Sequence, residues 1–143
     1  MVGVLDGLDA VIFFGRLGVT PAKLFQYIAS ALLGASSASF GIWSAALGVV
    51  LHFAMAAALA GVFLGVTGVL PALRCRWIIA GASFGLIAYF AINFLVLPLT
   101  RAKVTAGLPA TNVLINGLLA HVFLVGIPIG YVVFRTYRVP SKA

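Results

Sequence analysis

The stretch FGIWSAALGVVLHFAMAAALAGVFLGVTGV, residues 40–69, contains one histidine and no Lys, Arg, Asp or Glu. A helix of about 20 apolar residues is long enough to cross the hydrocarbon core of a bilayer. Residues 77–99 and residues 112–134 are likewise free of charged side chains. The sequence therefore predicts an all-α chain whose long apolar helices form an integral membrane bundle.

The composition extends this prediction to the whole chain. Of its 143 residues, 64% are hydrophobic and 8% are charged, whereas soluble domains usually carry about a quarter charged residues. So few charged side chains cannot cover a surface in water. We therefore expect a single transmembrane domain, residues 1–143, whose solvent is the bilayer.

The fourth predicted span, residues 2–15, differs from the other three. It is short for a crossing, and it contains Asp6 and Asp9, the only two acids of the chain. Either this helix is sheltered inside the bundle, or the natural start of the protein lies upstream of Met1. Because a secretory signal begins with a basic region, two acids at this position do not predict a cleaved signal.

An additional helix is predicted at residues 21–33. Thr20 is a suitable N-cap, Pro21 suits the first helical position, and Gly34 suits the C-terminal end. The helix has one apolar and one polar face and is too short to cross a membrane. We expect it to be interfacial or re-entrant.

The basic residues indicate a lipid partner and give a weak preference for orientation. Nine Lys and Arg against two acids give a net charge of +7, and all nine lie between or beyond the apolar stretches. These are lipid headgroup positions, so no nucleic-acid partner is predicted. Four crossings would place both termini on one side, together with Arg74, Arg76, Arg135, Arg138 and Lys142. The other side would carry Arg16, Lys23, Arg101 and Lys103. This weak excess places the termini in the cytoplasm.

Small residues at four-residue spacing predict close contacts between helices. In lipid, such spacing allows two helix backbones to approach each other. The predicted packing residues are Gly61, Gly65, Gly81, Gly85, Gly126 and Gly130. The pattern does not separate contacts within the chain from contacts in a homo-oligomer or a larger membrane complex. We also predict a kink at Pro128.

Six polar residues fall inside the predicted spans, where polar groups are costly and often functional. They are Asp6, Asp9, His52, Asn93, Asn116 and His121. At 1.5 Å per residue, all six lie in the same half of the bilayer or near its middle. His52 and His121 each follow a glycine by four residues, Gly48 and Gly117, so each glycine shares a helix face with its histidine.

Three interpretations of this predicted cluster compete. In the first, the polar groups bond to one another and hold the bundle in register. In the second, they form a protonatable site for an ion or small solute in a transporter or channel. In the third interpretation His52 and His121 ligate a b-type haem, whose edge the glycines would admit, with Arg101 or Lys103 near the propionates.

No catalytic motif accompanies the cluster. The chain has no Walker loop, no HExxH, no CxxC and no nucleophile elbow, so we do not expect an enzyme or a metal site other than the haem alternative. The predicted function is that of a non-enzymatic membrane bundle or accessory subunit with a polar cluster. The alternatives are a small proton-linked transporter or channel and a haem-binding electron carrier.

Several short patterns resemble a group of small bacterial inner-membrane proteins, the YagU-like four-helix proteins. The patterns are Leu5-Asp6, Phe13-Phe14-Gly15, Gly18-Val-Thr-Pro21, Gln26-Tyr-Ile-Ala-Ser30-Ala-Leu-Leu-Gly34, His52-Phe53 and Val96-Leu-Pro98-Leu99. The resemblance implies four membrane helices and a bacterial inner-membrane location, and it implies no particular activity or cofactor. It singles out Asp6, Gln26 and His52, whereas His121 lies outside the part of the chain that it covers.

Overall fold

The computed structural model describes residues 1–102 and 108–138, so the predictions that involve Lys103 and Lys142 lie outside the described residues. The described part is mostly helical and has no strand, which confirms the predicted all-α class. Three of its helices are long and apolar enough to cross a membrane. They are Ile42–Val69 (α3), Trp77–Leu99 (α5) and Thr111–Tyr137 (α6). Three of the four predicted spans therefore correspond to helices of sufficient length.

The first helix, α1, spans Val2–Arg16 and has 15 residues. Its length is about 22 Å at 1.5 Å per residue, less than the roughly 30 Å of a hydrocarbon core. The prediction of a fourth complete crossing is therefore not confirmed. The helix covers the predicted residues 2–15, and the turn at Leu17 and Gly18 ends it.

The helix α1 packs against α3 and α6. Val2 packs against the apolar cluster that contains Val125, whereas Asp9 bonds to Asn116, nearer the start of α6. Residue numbers therefore rise along α1 as they fall along α6, and the two helices are antiparallel. This arrangement confines α1 to the half of α6 that begins at Thr111.

The second helix, α2, spans Pro21–Leu33, the residues at which the sequence predicts it. The Thr20 hydroxyl accepts a hydrogen bond from the Lys23 amide, and Gly34, with φ of 64°, follows the last turn. A 3-10 segment, Gly34–Phe40, then leads into α3. Local capping chemistry thus sets both ends of α2, whereas its interfacial position stays a prediction.

The helix α2 lies directly against α3. The backbone of Phe25 contacts Gly48 so closely that a methyl group at Gly48 would overlap the Phe25 carbonyl. Gly48 is six residues beyond Ile42, which is about 9 Å along the helix. The turn between α2 and α3 is held by the side chain of Gln26, whose amide donates to the Gly41 carbonyl at 2.8 Å. We therefore describe α2 and α3 as one packed unit.

The helices α5 and α6 approach each other through four buried glycines. Gly81 lies against the backbone of Gly126, Gly85 against the carbonyl of His121, and Gly130 against the carbonyl of Trp77. A short helix, Ala72–Cys75 (α4), closes this end of the bundle and contacts α6. The structure therefore brings the predicted packing residues of α5 and α6 together.

The remaining two predicted packing residues behave differently. Gly61 and Gly65 are exposed on α3, and no side chain or backbone of the described chain lies within 4 Å of an added methyl group at either. Only 6% of the most apolar part of α3 is buried inside the chain. Gly61 and Gly65 therefore do not pack against the described part of the chain, unlike the four glycines of α5 and α6.

These contacts predict opposite outcomes for two equivalent substitutions. Gly85→Ala places a methyl group on the His121 carbonyl and should lower the free energy of unfolding in detergent by about 1–3 kcal/mol. Gly61→Ala, the matched control, meets open space and should not destabilise the protein. Equal losses in both variants, measured by denaturant titration of helicity, would contradict the assigned α5–α6 interface.

Candidate functional site

The candidate site is a cavity of about 350 Å³ between α1, α2, α3, α5 and α6. Its wall is mostly aliphatic, with a few polar or titratable side chains: Asp6, His52, Thr100 and His121. His52 lies ten residues after Ile42 and His121 ten residues after Thr111. Each is therefore about 15 Å along its helix. The cavity thus brings together three of the six polar residues that the sequence predicts as a cluster.

His52 connects α3 to α1. Its Nε2 lies 2.8 Å from the carbonyl oxygen of Gly3, a geometry in which Nε2–H donates and Nδ1 is left as an acceptor. Gly7 lies against the same ring, since a methyl group there would be 3.0 Å from Nε2. The edges of Phe25 and Phe53 also meet the ring, with centroids 6.2 Å and 5.5 Å away. The imidazole is therefore fixed in orientation, with one ring nitrogen in use.

His121 is held by its own helix. Its Nδ1 lies 3.0 Å from the Gly117 carbonyl, one turn earlier, so Nδ1–H donates and Nε2 is left as an acceptor. The ring meets Tyr89 of α5 edge-on, with centroids 5.3 Å apart. Tyr89 is buried and also covers Gly117. Each histidine of the cavity thus uses one ring nitrogen on a backbone carbonyl and keeps the other.

Asp6 supplies the third titratable group and is half-buried in the wall. Within the described residues its carboxyl group accepts no hydrogen bond, although it interacts electrostatically with the His121 imidazole. An isolated carboxylate at this depth in a membrane is costly. A carboxyl group with no hydrogen-bond partner among the described residues, on the wall of a cavity between helices, is therefore a candidate functional group.

The other three residues of the predicted cluster lie apart from the cavity wall. Asn116 donates to the Asp9 carboxylate at 2.8 Å and links α6 to α1. Asn93 donates to the Tyr89 carbonyl of its own helix at 2.9 Å. Helix rise gives the depth of a residue but not the direction of its side chain, so the sequence grouped six residues that the structure separates.

Two π-helical segments, which the sequence analysis missed, border the cavity. They are Ile92–Val96 in α5 and His121–Gly126 in α6. Their wider turns are defined by hydrogen bonds across five residues, from the Leu97 amide to Ile92 and from the Ile127 amide to Val122. Both segments contribute residues to the cavity wall, and π-helical turns occur frequently at functional sites.

Two proline residues in the sequence could have indicated these π-helical segments. Pro98 and Pro128 each stand two residues after the end of a π-helical segment. A proline lacks an amide proton, and its ring clashes with the carbonyl four residues earlier, so the preceding turn must open. The predicted kink at Pro128 thus takes the form of a widened turn that begins at His121.

The structure leaves no space for a haem in the predicted position. Such a haem needs room beside Gly48 and Gly117 for the edge of its porphyrin. The Phe25 backbone occupies the space at Gly48, and the Tyr89 ring occupies the space at Gly117. The residues around the two histidines therefore do not fit a haem held in the proposed way.

Comparisons with protein-family models, curated proteins and solved structures found no match to this chain. The resemblance to YagU-like proteins therefore stays a prediction. Of the residues that it singles out, Asp6 and His52 line the cavity, and Gln26 holds the turn before α3.

The separation of Asp9 and Asn116 from Asn93 predicts a specific pattern of coupling. In a double-mutant cycle, Asp9→Ala and Asn116→Ala should show a coupling energy of about 0.6 kcal/mol, the membrane average, and at most about 1.7 kcal/mol. The control cycle of Asp9→Ala with Asn93→Ala should show none, since Asn93 bonds to its own helix. Unfolding titrations in detergent measure both cycles. Coupling to Asn93 as strong as to Asn116 would contradict the separation.

Proposed function

We propose that this protein is a non-enzymatic, proton-linked transport protein of the membrane. The observation that supports the proposal is the cavity wall, in which Asp6, His52 and His121 from three different helices border one largely aliphatic space. Titratable side chains inside membrane proteins commonly mark ion pathways and proton relays. The solute would be small, within about 350 Å³, and largely apolar.

The hydrogen bonds support proton exchange at this site. Nδ1 of His52 and Nε2 of His121 are acceptors that the described chain does not use, so each ring can take up a proton without breaking its existing bond. Histidine ordinarily titrates near pH 6.5. An imidazolium formed on uptake would be compensated by the Asp6 carboxylate, so the cavity can gain a proton without a net charge.

The aliphatic wall would couple the proton to the solute. Net charge in such a cavity is costly, so occupancy by an apolar solute should favour the neutral or internally paired states of the three groups. A change in protonation would then alter the affinity for the solute. This coupling is the physical requirement for proton-linked transport.

The proposed topology keeps four membrane helices. In this arrangement α1 completes the bundle in the half that holds the polar residues, and its start points toward the side of Arg74 and Arg76. The N-terminus then faces the side on which the C-terminus lies, and α2 lies near the opposite interface. The inner membrane of a bacterium is proposed from the sequence resemblance, and a cytoplasmic location of the termini from the distribution of basic residues.

A matched pair of variants on one helix tests the proposal. Purified protein would be reconstituted in liposomes with a trapped pH dye, and a potassium gradient with valinomycin would drive proton uptake. We expect proton flux above that of empty liposomes for the wild type. Asp6→Asn should reduce the flux to the level of empty liposomes, because it removes the carboxylate of the cavity.

Asp9→Asn is the control, since it makes the same chemical change on α1 at a residue bonded to Asn116 instead of the cavity. Its flux should equal that of the wild type. The double variant His52→Asn/His121→Asn should lose the dependence of flux on pH, because it removes both imidazoles of the cavity. Equal flux in the wild type, in Asp6→Asn and in empty liposomes would rule out the proposed function.

A second proposal concerns assembly, and the exposed small residues of α3 support it. Gly61 and Gly65 meet nothing in the described chain, and such a face accepts the backbone of another helix in lipid. We propose that this face packs in a homo-oligomer or in a larger membrane complex.

Native mass analysis after gentle detergent extraction tests this assembly. The wild type should appear with a second subunit, and Gly61→Leu should appear as a monomer because its side chain keeps the backbones apart. Gly15→Leu is the control, since Gly15 also meets nothing within 4 Å but lies on α1. A wild-type protein that stays a lone monomer would contradict the assembly.

A further inference from the structure

The charges of this chain are divided between the two ends of the bundle. Both acids lie on α1, where Asp6 interacts with His121 and Asp9 bonds to Asn116. The other end carries Arg74 and Arg76 around α4, and Arg135 on the last turns of α6, which contact α4. The described residues at that end include no carboxylate, so its positive charge has no counter-ion within them.

Among these arginines, Arg74 lies against an aromatic ring. The carbon of its guanidinium group lies 3.7 Å from the centre of the Tyr137 ring, a close cation–π contact. Its Nε is buried and has no hydrogen-bond acceptor among the described residues. The residue as a whole is only partly buried. The guanidinium group therefore lies against an aromatic ring at a partly exposed position.

The position of Arg74 matches the headgroup level of a bilayer. Trp77 begins α5 directly beyond it and packs against Tyr131 and Phe134, with ring centroids 5.4 Å and 5.6 Å apart. Such aromatic groups are enriched where the hydrocarbon meets the headgroups. Ile78 and Ile79 follow and are 53% and 68% exposed, so an apolar surface lies next to the cationic one.

We propose that Arg74, oriented by Tyr137, binds the phosphate of an anionic phospholipid, whose acyl chains cover the apolar surface beside Trp77. A planar guanidinium binds phosphate oxygens through two parallel hydrogen bonds, and an ammonium group does not reproduce that fork. Arg76 and Arg135 add positive charge at the same end. A lipid would contact both the cationic arginine and the apolar surface beside Trp77, whereas a free phosphate ion would contact only the arginine.

Native mass analysis of the full chain in mixed lipid tests this site. Protein reconstituted in equal amounts of phosphatidylglycerol and phosphatidylcholine should retain the anionic lipid in preference to the zwitterionic one. Arg74→Gln should lower this preference about fivefold, the effect expected for one basic residue near a membrane surface. Arg16→Gln removes the same charge at the other end of the bundle and should leave the preference unchanged.

Two further variants separate the local geometry from charge alone. Arg74→Lys keeps the charge but loses the planar fork, and Tyr137→Leu keeps the arginine but loses the ring, so both should give intermediate preferences. They also replace Arg74→Gln as the test if that variant does not fold. Wild-type preference in Arg74→Gln, or equal losses in Arg74→Gln and Arg16→Gln, would overturn the proposal.

A competition arm distinguishes a lipid from a free anion. Inorganic phosphate added to the wild type should not displace the bound phosphatidylglycerol, since it makes no contact with the apolar surface. Full displacement at millimolar phosphate would assign the site to a free anion and would overturn the lipid proposal. None of these readouts depends on proton flux, so the lipid site and the proposed transport function can fail independently.

Discussion

The contact between the backbones of α5 and α6 is the interaction on which the rest of the structure depends. In lipid, apolar side chains gain little from leaving their solvent, so helices are held by close packing and by polar bonds. Gly81, Gly85, Gly126 and Gly130 provide the close packing. Because Gly85 meets the carbonyl of His121, this contact also fixes the depth and position of one of the two histidines of the cavity.

The other side of the cavity is held in a different way. The helix α1 is too short to span the bilayer and is joined to its neighbours by two polar bonds, from His52 to the Gly3 carbonyl and from Asn116 to Asp9. The cavity therefore lies between a rigid pair of helices and a short helix that polar groups retain.

The sequence predicted those features that depend on neighbouring residues in the chain or on distance along a helix axis. The bounds of α2 follow from the cap at Thr20 and from Gly34, and the shared depth of His52 and His121 follows from helix rise alone. The direction in which each side chain points requires tertiary contacts, so Asn93 and Asp9 could not be separated from the cavity. Likewise, glycines recur at the same four-residue spacing on α3 and on α5. Only the structure shows that Gly61 has no neighbouring helix among the described residues.

The π-helical segment of α6 has a consequence for angular register. A π-helical turn contains one residue more than the α-helical turn that it replaces, and one residue corresponds to about 100° of rotation about the helix axis. Residues beyond Gly126 are therefore rotated by about that angle from where an uninterrupted α-helix would place them. In this register Gly130, beyond the segment, meets the Trp77 carbonyl of α5, whereas His121 and Val125, within it, border the cavity. The extra residue thus sets which face of the last turns of α6 meets α5.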